Sequence, residues 1–178
     1  MEFRQSKISG CYEIKADIFR DPRGIFVKTF REDLCAKHGV RMSLAEQYFS
    51  VSKRGVIRGL HFQVPPFDQN KLVTCVSGKV FDVVVDLRRG SPTYGKFETF
   101  ELDSEKGSVL FVPKGLAHGF QALSEGATLY YQVSTVYSAE NDRGVRWDTA
   151  GVPWPIENPV LSERDGKFPA LSEFQSPF

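Results

Sequence analysis

The chain has 178 residues, enough for one domain with its own core, and its 41% hydrophobic and 25% charged residues are ordinary for a soluble globular protein. A formal net charge of +1 gives no electrostatic reason to expect a nucleic acid or a membrane surface as partner, so we expect neither. The N-terminus lacks an apolar signal core and no apolar run reaches membrane-spanning length, which predicts a cytoplasmic protein.

Short strand patterns follow one another along most of the chain. The clearest is residues 72–87, where two β-branched segments flank a Ser77-Gly78 turn signal typical of a hairpin. Roughly eight to ten such strands with turns between them predict an antiparallel sandwich or barrel. The predicted strands are 11–14, 24–30, the two halves of 72–87, 97–102, 108–112, 119–123 and 127–136.

Helix is scarce in the pattern. One short helix is predicted over 31–38, ending at Gly39, and the segment from Gly151 onward is rich in Pro, Trp and polar residues. We therefore expect a single domain over residues 1–178, with a C-terminal tail from about residue 151 that wraps the barrel as loops and short helical turns. The three cysteines show no CxxC and no even set, so a disulfide framework is not expected.

The segment RGLHFQVPPFDQNKL, residues 58–72, places His61 and two other basic residues among apolar ones and prolines. His61 has three possible roles: a metal ligand, a proton-transfer group, or a packed core residue. A metal cupin usually supplies an HxH pair and a nearby Glu, whereas this chain has only His38, His61 and His118 and no HxH. A site built from His61, His118 and a carboxylate stays open.

Proton transfer suits His61 better, because the pKa of a histidine lies near neutrality. A base that acts on a carbon acid needs an orienting carboxylate, a cation near the developing enolate, and an acid on the far face. Lys71 is close in sequence, and one of the neighbouring Tyr130 and Tyr131 should face the interior of a strand-built barrel. Asp82, inside an apolar run, either serves a bulge or faces a polar cavity.

Eight segments of the chain keep one order and spacing from about residue 3 to residue 168: RGIF (23–26), GVIRGLHFQ (55–63), KLVTCVSGKVFDVVVDLR (71–88), SPTYGK (91–96), VPKGLAHGF (112–120), YYQVSTVY (130–137), RGVRW (143–147) and LSERD (161–165). In these segments the chain resembles the dTDP-4-dehydrorhamnose 3,5-epimerase family. The resemblance implies an all-β, cupin-type jelly-roll barrel of antiparallel strands with a few short peripheral helices, and a likely homodimer. It also implies cofactor-independent, metal-free epimerisation of a nucleotide-linked 4-keto-6-deoxyhexose, in deoxysugar biosynthesis for a bacterial surface polysaccharide such as the lipopolysaccharide O-antigen.

The resemblance also implies residue roles. His61 matches the catalytic base, Asp165 its acidic partner, Lys71 the lysine near the C4 carbonyl, and Tyr131 the proton donor. Further positions match residues that meet the diphosphate, the sugar or the nucleoside. These implied substrate-binding residues are Arg23, Phe26, Glu46, Tyr48, Ser50, Arg58, His118, Tyr137, Asp142 and Arg164.

All four implied catalytic residues are present, whereas several positions near the substrate depart from the family pattern. In EQYFSVS, residues 46–52, Glu46 and Tyr48 stand where the family usually has Gln and Asn, and Ser50 is kept. Lys28 replaces a usual Glu, and Gln132 a common Lys. These changes suggest a different sugar, a different nucleotide such as CDP or GDP, or inversion at only one of C3 and C5. A non-catalytic sugar-nucleotide-binding cupin and a metal-dependent cupin enzyme are the alternative functions.

Overall fold

The computed structural model describes residues 1–178 and consists mainly of β-structure. Two short helices, α1 at Glu32–Lys37 and α2 at Glu163–Gly166, lie outside the sheets, with 3-10 turns at Ser104–Lys106 and Leu171–Glu173. The thirteen strands are β1 Glu2–Gln5, β2 Tyr12–Lys15, β3 Asp17–Asp21, β4 Gly24–Lys28, β5 Glu46–Ser52, β6 Ile57–Gln63, β7 Lys71–Ser77, β8 Lys79–Asp86, β9 Phe97–Asp103, β10 Ser108–Val112, β11 Leu116–Ala122, β12 Ala127–Val133 and β13 Asp142–Gly144.

The strands form two antiparallel sheets and one separate hairpin. The six-stranded sheet has the order β1-β2-β10-β7-β12-β5, the five-stranded sheet the order β13-β6-β11-β8-β9, and β3 pairs only with β4. A buried apolar cluster of 16 residues joins side chains from both sheets, including Val73 and Leu129 of one and Val84 and Phe120 of the other. This arrangement confirms the predicted all-β jelly-roll class with few, short helices.

The predicted hairpin at Ser77-Gly78 is wrong. The chain does turn there, but β7 pairs with β10 and β12 in one sheet, whereas β8 pairs with β11 and β9 in the other. A Gly-containing turn reverses the chain, but which strands pair depends on long-range packing of both apolar faces. Strand β8 is buried along most of its length, and both of its edges pair within the five-stranded sheet.

The C-terminal segment runs over the outside of the five-stranded sheet. Side chains of Trp154, Leu171, Phe174 and Phe178 pack against a buried cluster that includes Phe62. Helix α2 begins after Ser162, whose side chain accepts a hydrogen bond from the Asp165 N–H and so caps it. The cap fixes the first turn of α2, which lies beside strand β6 and carries the Asp165 side chain of the site described below.

Three further features bear on the sequence predictions. Cys11, Cys35 and Cys75 are buried free thiols. The helix predicted over 31–38 forms as α1, with Arg31 and His38 as its capping positions. None of the helices combines the length and the apolar character needed to cross a bilayer.

Candidate functional site

A cavity of about 370 Å³ opens between the two sheets at one end of the barrel. Both sheets contribute to its walls, because strand side chains alternate and one face of each sheet points inward. Eleven residues expected from the sequence to form a site line this one cavity: Glu46, Tyr48, Ser50, Arg58, His61, Lys71, His118, Tyr131, Tyr137, Asp142 and Arg164.

The His61 imidazole on β6 is held from behind by Asp165 of α2. Its Nε2 lies 2.8 Å from Asp165 Oδ1, and the Gly59 N–H donates to Asp165 Oδ2 at 3.2 Å. Burial raises the pKa of Asp165, but hydrogen bonds from His61 and Gly59 outweigh burial and hold the pKa below its usual value. An ionised carboxylate can only accept, so His61 Nε2 carries the proton and Nδ1 is left as the basic nitrogen.

The position of His61 depends on a close approach of β6 to β11. A Cβ atom on Gly59 would lie 2.6 Å from the Cα of Gly119, and Gly59 has a φ of +148°. Only glycine suits such a contact at that backbone angle. The pairing brings His61 directly opposite His118 across the two strands.

Lys71, the first residue of β7, is buried beside His61. Its Nζ donates to the His61 carbonyl oxygen at 3.4 Å. Burial lowers the pKa of Lys71 to about 8, although the nearby carboxylates of Asp142 and Asp82 favour the charged form. The ammonium is therefore a cation at neutral pH and loses its proton as the pH rises through about 8.

Tyr131 on β12 contributes a buried phenol from the opposite sheet. Burial, with the negative charge of Asp82, raises its pKa well above the usual value, so the phenol stays protonated. The ring of Tyr48 on β5 stacks on it, with centroids 4.8 Å apart and planes 19° apart. A basic imidazole on one sheet and a protonated phenol on the other can take a proton from one face of a bound ring and return one to the other face.

A second histidine–carboxylate pair lies deeper in the barrel. His118 Nε2 is 2.9 Å from both oxygens of Asp82, and both residues are buried. Burial raises the pKa of Asp82, opposed by the attraction of His118. Of the two roles left open for Asp82, the structure supports an interior polar one, as the hydrogen-bond partner of His118.

The outer part of the cavity carries most of the remaining charged groups. Arg164 Nη2 pairs with Asp142 Oδ2 at 2.5 Å, and Glu46 accepts a hydrogen bond from the Tyr137 N–H at 2.7 Å. Arg58 donates to the Ser52 hydroxyl at 3.0 Å. The Ser50 hydroxyl is buried without a hydrogen-bond partner at the cavity wall, where a ligand could use it.

Arg23 and Phe26 do not reach this cavity. They lie on the β3–β4 hairpin, where the Arg23 side chain is 90% exposed and pairs with Asp21, and Phe26 is 61% exposed. The hairpin has its own concavity of about 360 Å³, lined by Phe19 and Ile25 among others. Lys28, on the same hairpin, lies over the Phe19 ring and not in the cavity.

Four cavity-lining residues were not predicted: Phe62, Gln63, Gln69 and Val133. Gln63 is two positions after His61 on β6 and so shares its face, a spacing that could have identified it. Its side-chain amide donates to the carbonyl oxygens of Phe67 and Val136 and accepts from the Ser138 N–H, so it ties two loops at the cavity mouth. No group of three or more His, Cys, Asp or Glu side chains is arranged to hold a metal ion.

Comparison with known proteins places this chain among sugar-nucleotide epimerases. Residues 5–173 match the family model described as dTDP-4-dehydrorhamnose 3,5-epimerase. The chain is 44% identical to the dTDP-4-dehydrorhamnose 3,5-epimerase of Sinorhizobium fredii, over 100% of this chain and 93% of that protein. It is 43% identical to the dTDP-4-dehydrorhamnose 3-epimerase of Streptomyces niveus, over 97% of this chain and 85% of that one.

A solved structure has the same fold. The crystal structure of the Bacillus anthracis dTDP-4-dehydrorhamnose 3,5-epimerase, with TDP and pyrophosphate bound, superimposes with a TM-score of 0.92. The two sequences are 35% identical, over 95% of this chain and 98% of the other.

Proposed function

Because the chain belongs to the dTDP-4-dehydrorhamnose 3,5-epimerase family, we propose that it inverts C3, C5 or both in a dTDP-linked 4-keto-6-deoxyhexose. The enzyme is an isomerase, and its relatives act in deoxysugar biosynthesis. One observation supports the proposal most directly: the His61–Asp165 pair and the Tyr131 phenol face each other across one cavity. The sugar nucleotide would be made in the cytoplasm and then used for a surface polysaccharide.

In the first step, His61 Nδ1 removes the proton from a carbon next to the C4 ketone. The electron pair of the broken C–H bond moves into the carbonyl, which becomes an enolate, and Asp165 stabilises the imidazolium. The Lys71 ammonium then stabilises the negative charge on the enolate oxygen. The ketone itself makes the carbon acidic, so these side chains suffice without a cofactor.

In the second step, the Tyr131 hydroxyl protonates the same carbon from the other face. The carbon is inverted. Before the next turnover the His61 imidazolium gives its proton to solvent and the Tyr131 phenolate takes one from solvent, so no net proton is gained or lost. The raised pKa keeps the Tyr131 phenol protonated at neutral pH, so a proton is available for the carbon when the enolate has formed.

The nucleotide occupies the outer part of the cavity. Arg58 and Arg164 bind the diphosphate, whose oxygens match the fork of a guanidinium. His118 contacts the sugar, and Tyr137 stacks near the nucleoside. We assign dTDP as the nucleotide, because it appears in the names of the relatives, and the altered Glu46 and Tyr48 then act on the sugar.

A second copy of the chain completes the site. The family positions of Arg23 and Phe26 are substrate-binding, yet both side chains point into solvent on the β3–β4 hairpin of one chain. A homodimer would bury these exposed groups and bring the hairpin to the partner's cavity mouth. Strand β5, an exposed sheet edge whose outward side chains include Phe49 and Val51, provides a further apolar contact surface.

Tyr48 makes C3 and C5 unequal. Its ring packs flat on the donor phenol and prevents Tyr131 from shifting between the two carbons, which lie on opposite sides of C4. We therefore assign faster exchange at one of the two centres. That the Streptomyces niveus relative is named as a 3-epimerase supports a single-centre activity within this family.

The proposal is tested by NMR of the purified protein in D2O with dTDP-, CDP- and GDP-linked 4-keto-6-deoxyglucose. Deuterium should enter C3, C5 or both of the dTDP sugar, with inversion of the exchanging carbon. His61→Ala should abolish exchange, whereas Tyr131→Phe should keep deuterium wash-in but suppress inversion. Binding of the nucleotide sugars without any exchange would show a binding protein and refute the epimerase function.

A further inference from the structure

Phe168 contacts two parts of the site without lining the cavity itself. Its ring meets the His61 imidazole edge-on, with centroids 5.7 Å apart and planes 73° apart. The guanidinium carbon of Arg164 lies over the same ring, 5.1 Å from its centroid. One aromatic ring thus touches His61, the proposed base, and Arg164, which is proposed to bind the diphosphate.

The backbone leaves a space for this ring opposite His61. Gly144 of β13 pairs directly with His61 of β6, and a Cβ atom on Gly144 would lie 2.3 to 2.5 Å from three ring carbons of Phe168. Any side chain at Gly144 would therefore displace the ring. The fit shows that the ring occupies a position which the neighbouring strand keeps open.

Residues 164–169 supply several of the contacts around the site. Asp165 binds the His61 imidazole, Arg164 binds Asp142 at the cavity mouth, and Phe168 packs against both His61 and Arg164. The Pro169 carbonyl accepts a hydrogen bond of 2.8 Å from the Arg146 N–H, which fixes the end of the segment to the chain just after β13.

We propose that Phe168 is a positioning residue that aligns the base and the diphosphate-binding arginine together. The T-shaped contact limits rotation of the imidazole away from Asp165, and the ring face holds the guanidinium by cation–π attraction. Because the Phe168 ring contacts both side chains, a diphosphate bound by Arg164 acts on the position of His61 through this ring. The inference rests on the proposed epimerase function for the meaning of both contacts.

The test replaces Phe168 with leucine, which keeps an apolar side chain and removes the ring. Phe168→Leu should slow deuterium exchange at saturating dTDP-4-keto-6-deoxyglucose by about tenfold. It should also weaken binding of dTDP, measured by calorimetry without turnover, by about fivefold. Gly144→Ala should act in the same direction on both measurements, since it displaces the ring and leaves its chemistry unchanged.

A double-mutant cycle separates a positioning role from general packing. If Phe168 acts on dTDP through Arg164, then Phe168→Leu should change dTDP affinity by less than about twofold in an Arg164→Met background. Phe3→Leu is the matched control, because Phe3 stacks on His38 at 4.2 Å, away from the cavity. It should leave dTDP affinity and exchange unchanged.

Two results would overturn the inference. One is a Phe168→Leu or Gly144→Ala variant with wild-type dTDP affinity and exchange rate. The other is an equal loss of dTDP affinity from Phe168→Leu with and without Arg164. Because the cycle is read by dTDP binding and the function by exchange in the wild-type protein, the two proposals can fail separately.

Discussion

The His61 imidazole and the Asp165 carboxylate are joined by a hydrogen bond of 2.8 Å, although 104 positions separate them in the chain. Two backbone features produce this contact. The Ser162 cap orients the first turn of α2, and the Gly59 N–H anchors the second carboxylate oxygen. The acid is thus fixed on both oxygens, which leaves one imidazole tautomer and one ring orientation.

Asp165→Asn should lower the exchange rate at C3 and C5 by at least about a hundredfold, because an amide no longer selects the tautomer or stabilises the imidazolium. The dTDP affinity should stay near that of the wild type, since the side chain lies behind His61. Asp148→Asn, at an exposed ion pair with Arg146, is the control and should leave exchange unchanged. An Asp165→Asn rate within threefold of wild type, by NMR in D2O, would contradict the assignment.

The titration of the Lys71 ammonium group should set an alkaline limit to activity. Its pKa is lowered from 10.5 to about 8, so the ammonium is present below that pH and is lost as the pH rises through it. The initial rate of epimerisation should therefore fall above about pH 8, where the enolate loses its cation. The pKa of Tyr131 lies well above this range, so the phenol does not set the limit.

Lys71→Arg gives the matched control for this prediction. A guanidinium stays charged throughout, so the alkaline decline should disappear in any activity that remains. Lys71→Met should remove most activity at every pH. The same alkaline decline in the wild-type and Lys71→Arg proteins would assign the titration to another group.

Much of the fold could be predicted from local patterns, because strands such as β7, β8 and β12 carry runs of β-branched and aromatic residues between turns. The pairing partners could not, as the wrong hairpin at Ser77-Gly78 shows: one turn signal fits both a hairpin and a crossover between sheets. Strands β1, β3, β5, β6 and β13 lie outside the predicted set. Strands β5 and β13 have weak apolar alternation and depend on neighbours distant in sequence.

The residues of the site, like the strands, could be predicted from the sequence only in part. His61 and Lys71 stood out as basic residues in an apolar stretch, but only the family resemblance linked them to Asp165. The Asp82–His118 bond joins two buried groups on adjacent strands, and the sequence left the role of Asp82 open. Phe168 carried no sequence signal at all, since its importance depends on the absence of a side chain at Gly144, opposite His61.

Asp86 should be a large stability determinant outside the site. Its buried carboxylate accepts hydrogen bonds from Arg88, Ser91 and Thr93, all in the loop after β8. Asp86→Asn should lower the free energy of unfolding at pH 7 by about 3 kcal/mol, because it leaves the Arg88 guanidinium without its counter-charge. Glu163→Gln, at an exposed pair with Lys167, should change it little.

The contribution of Asp86 to the free energy of unfolding should decrease at acidic pH. Burial raises its pKa, but the hydrogen bonds outweigh burial and lower it to about 2. The unfolded value is about 3.9. A lowered folded pKa stabilises the protein fully above the unfolded value and loses that contribution as the pH falls towards 2. Urea unfolding should therefore show the gap between wild type and Asp86→Asn narrowing only below about pH 4.

Tyr48 should control the ratio of exchange at C3 and C5. Tyr48→Asn removes the ring stacked on Tyr131 and should move the ratio towards equality by about fivefold, since the phenol gains freedom to reach both carbons. Tyr48→Phe keeps the stack and should preserve the wild-type ratio. Site-by-site deuterium incorporation measures both variants, and equal exchange at the two carbons in the wild-type protein would remove this role.

Mixing two impaired variants should restore activity if the β3–β4 hairpin serves the partner's site. His61→Asn destroys the base but keeps its hairpin, whereas Arg23→Ala weakens the hairpin but keeps its base. In a two-fold dimer the mixed pair contains one intact site, so co-expressed chains should regain about a quarter of wild-type sites. His61→Asn mixed with Asp165→Asn is the control and should regain nothing, because both changes lie within one chain's own cavity. An unrestored mixture of verified heterodimers would place Arg23 outside the active site.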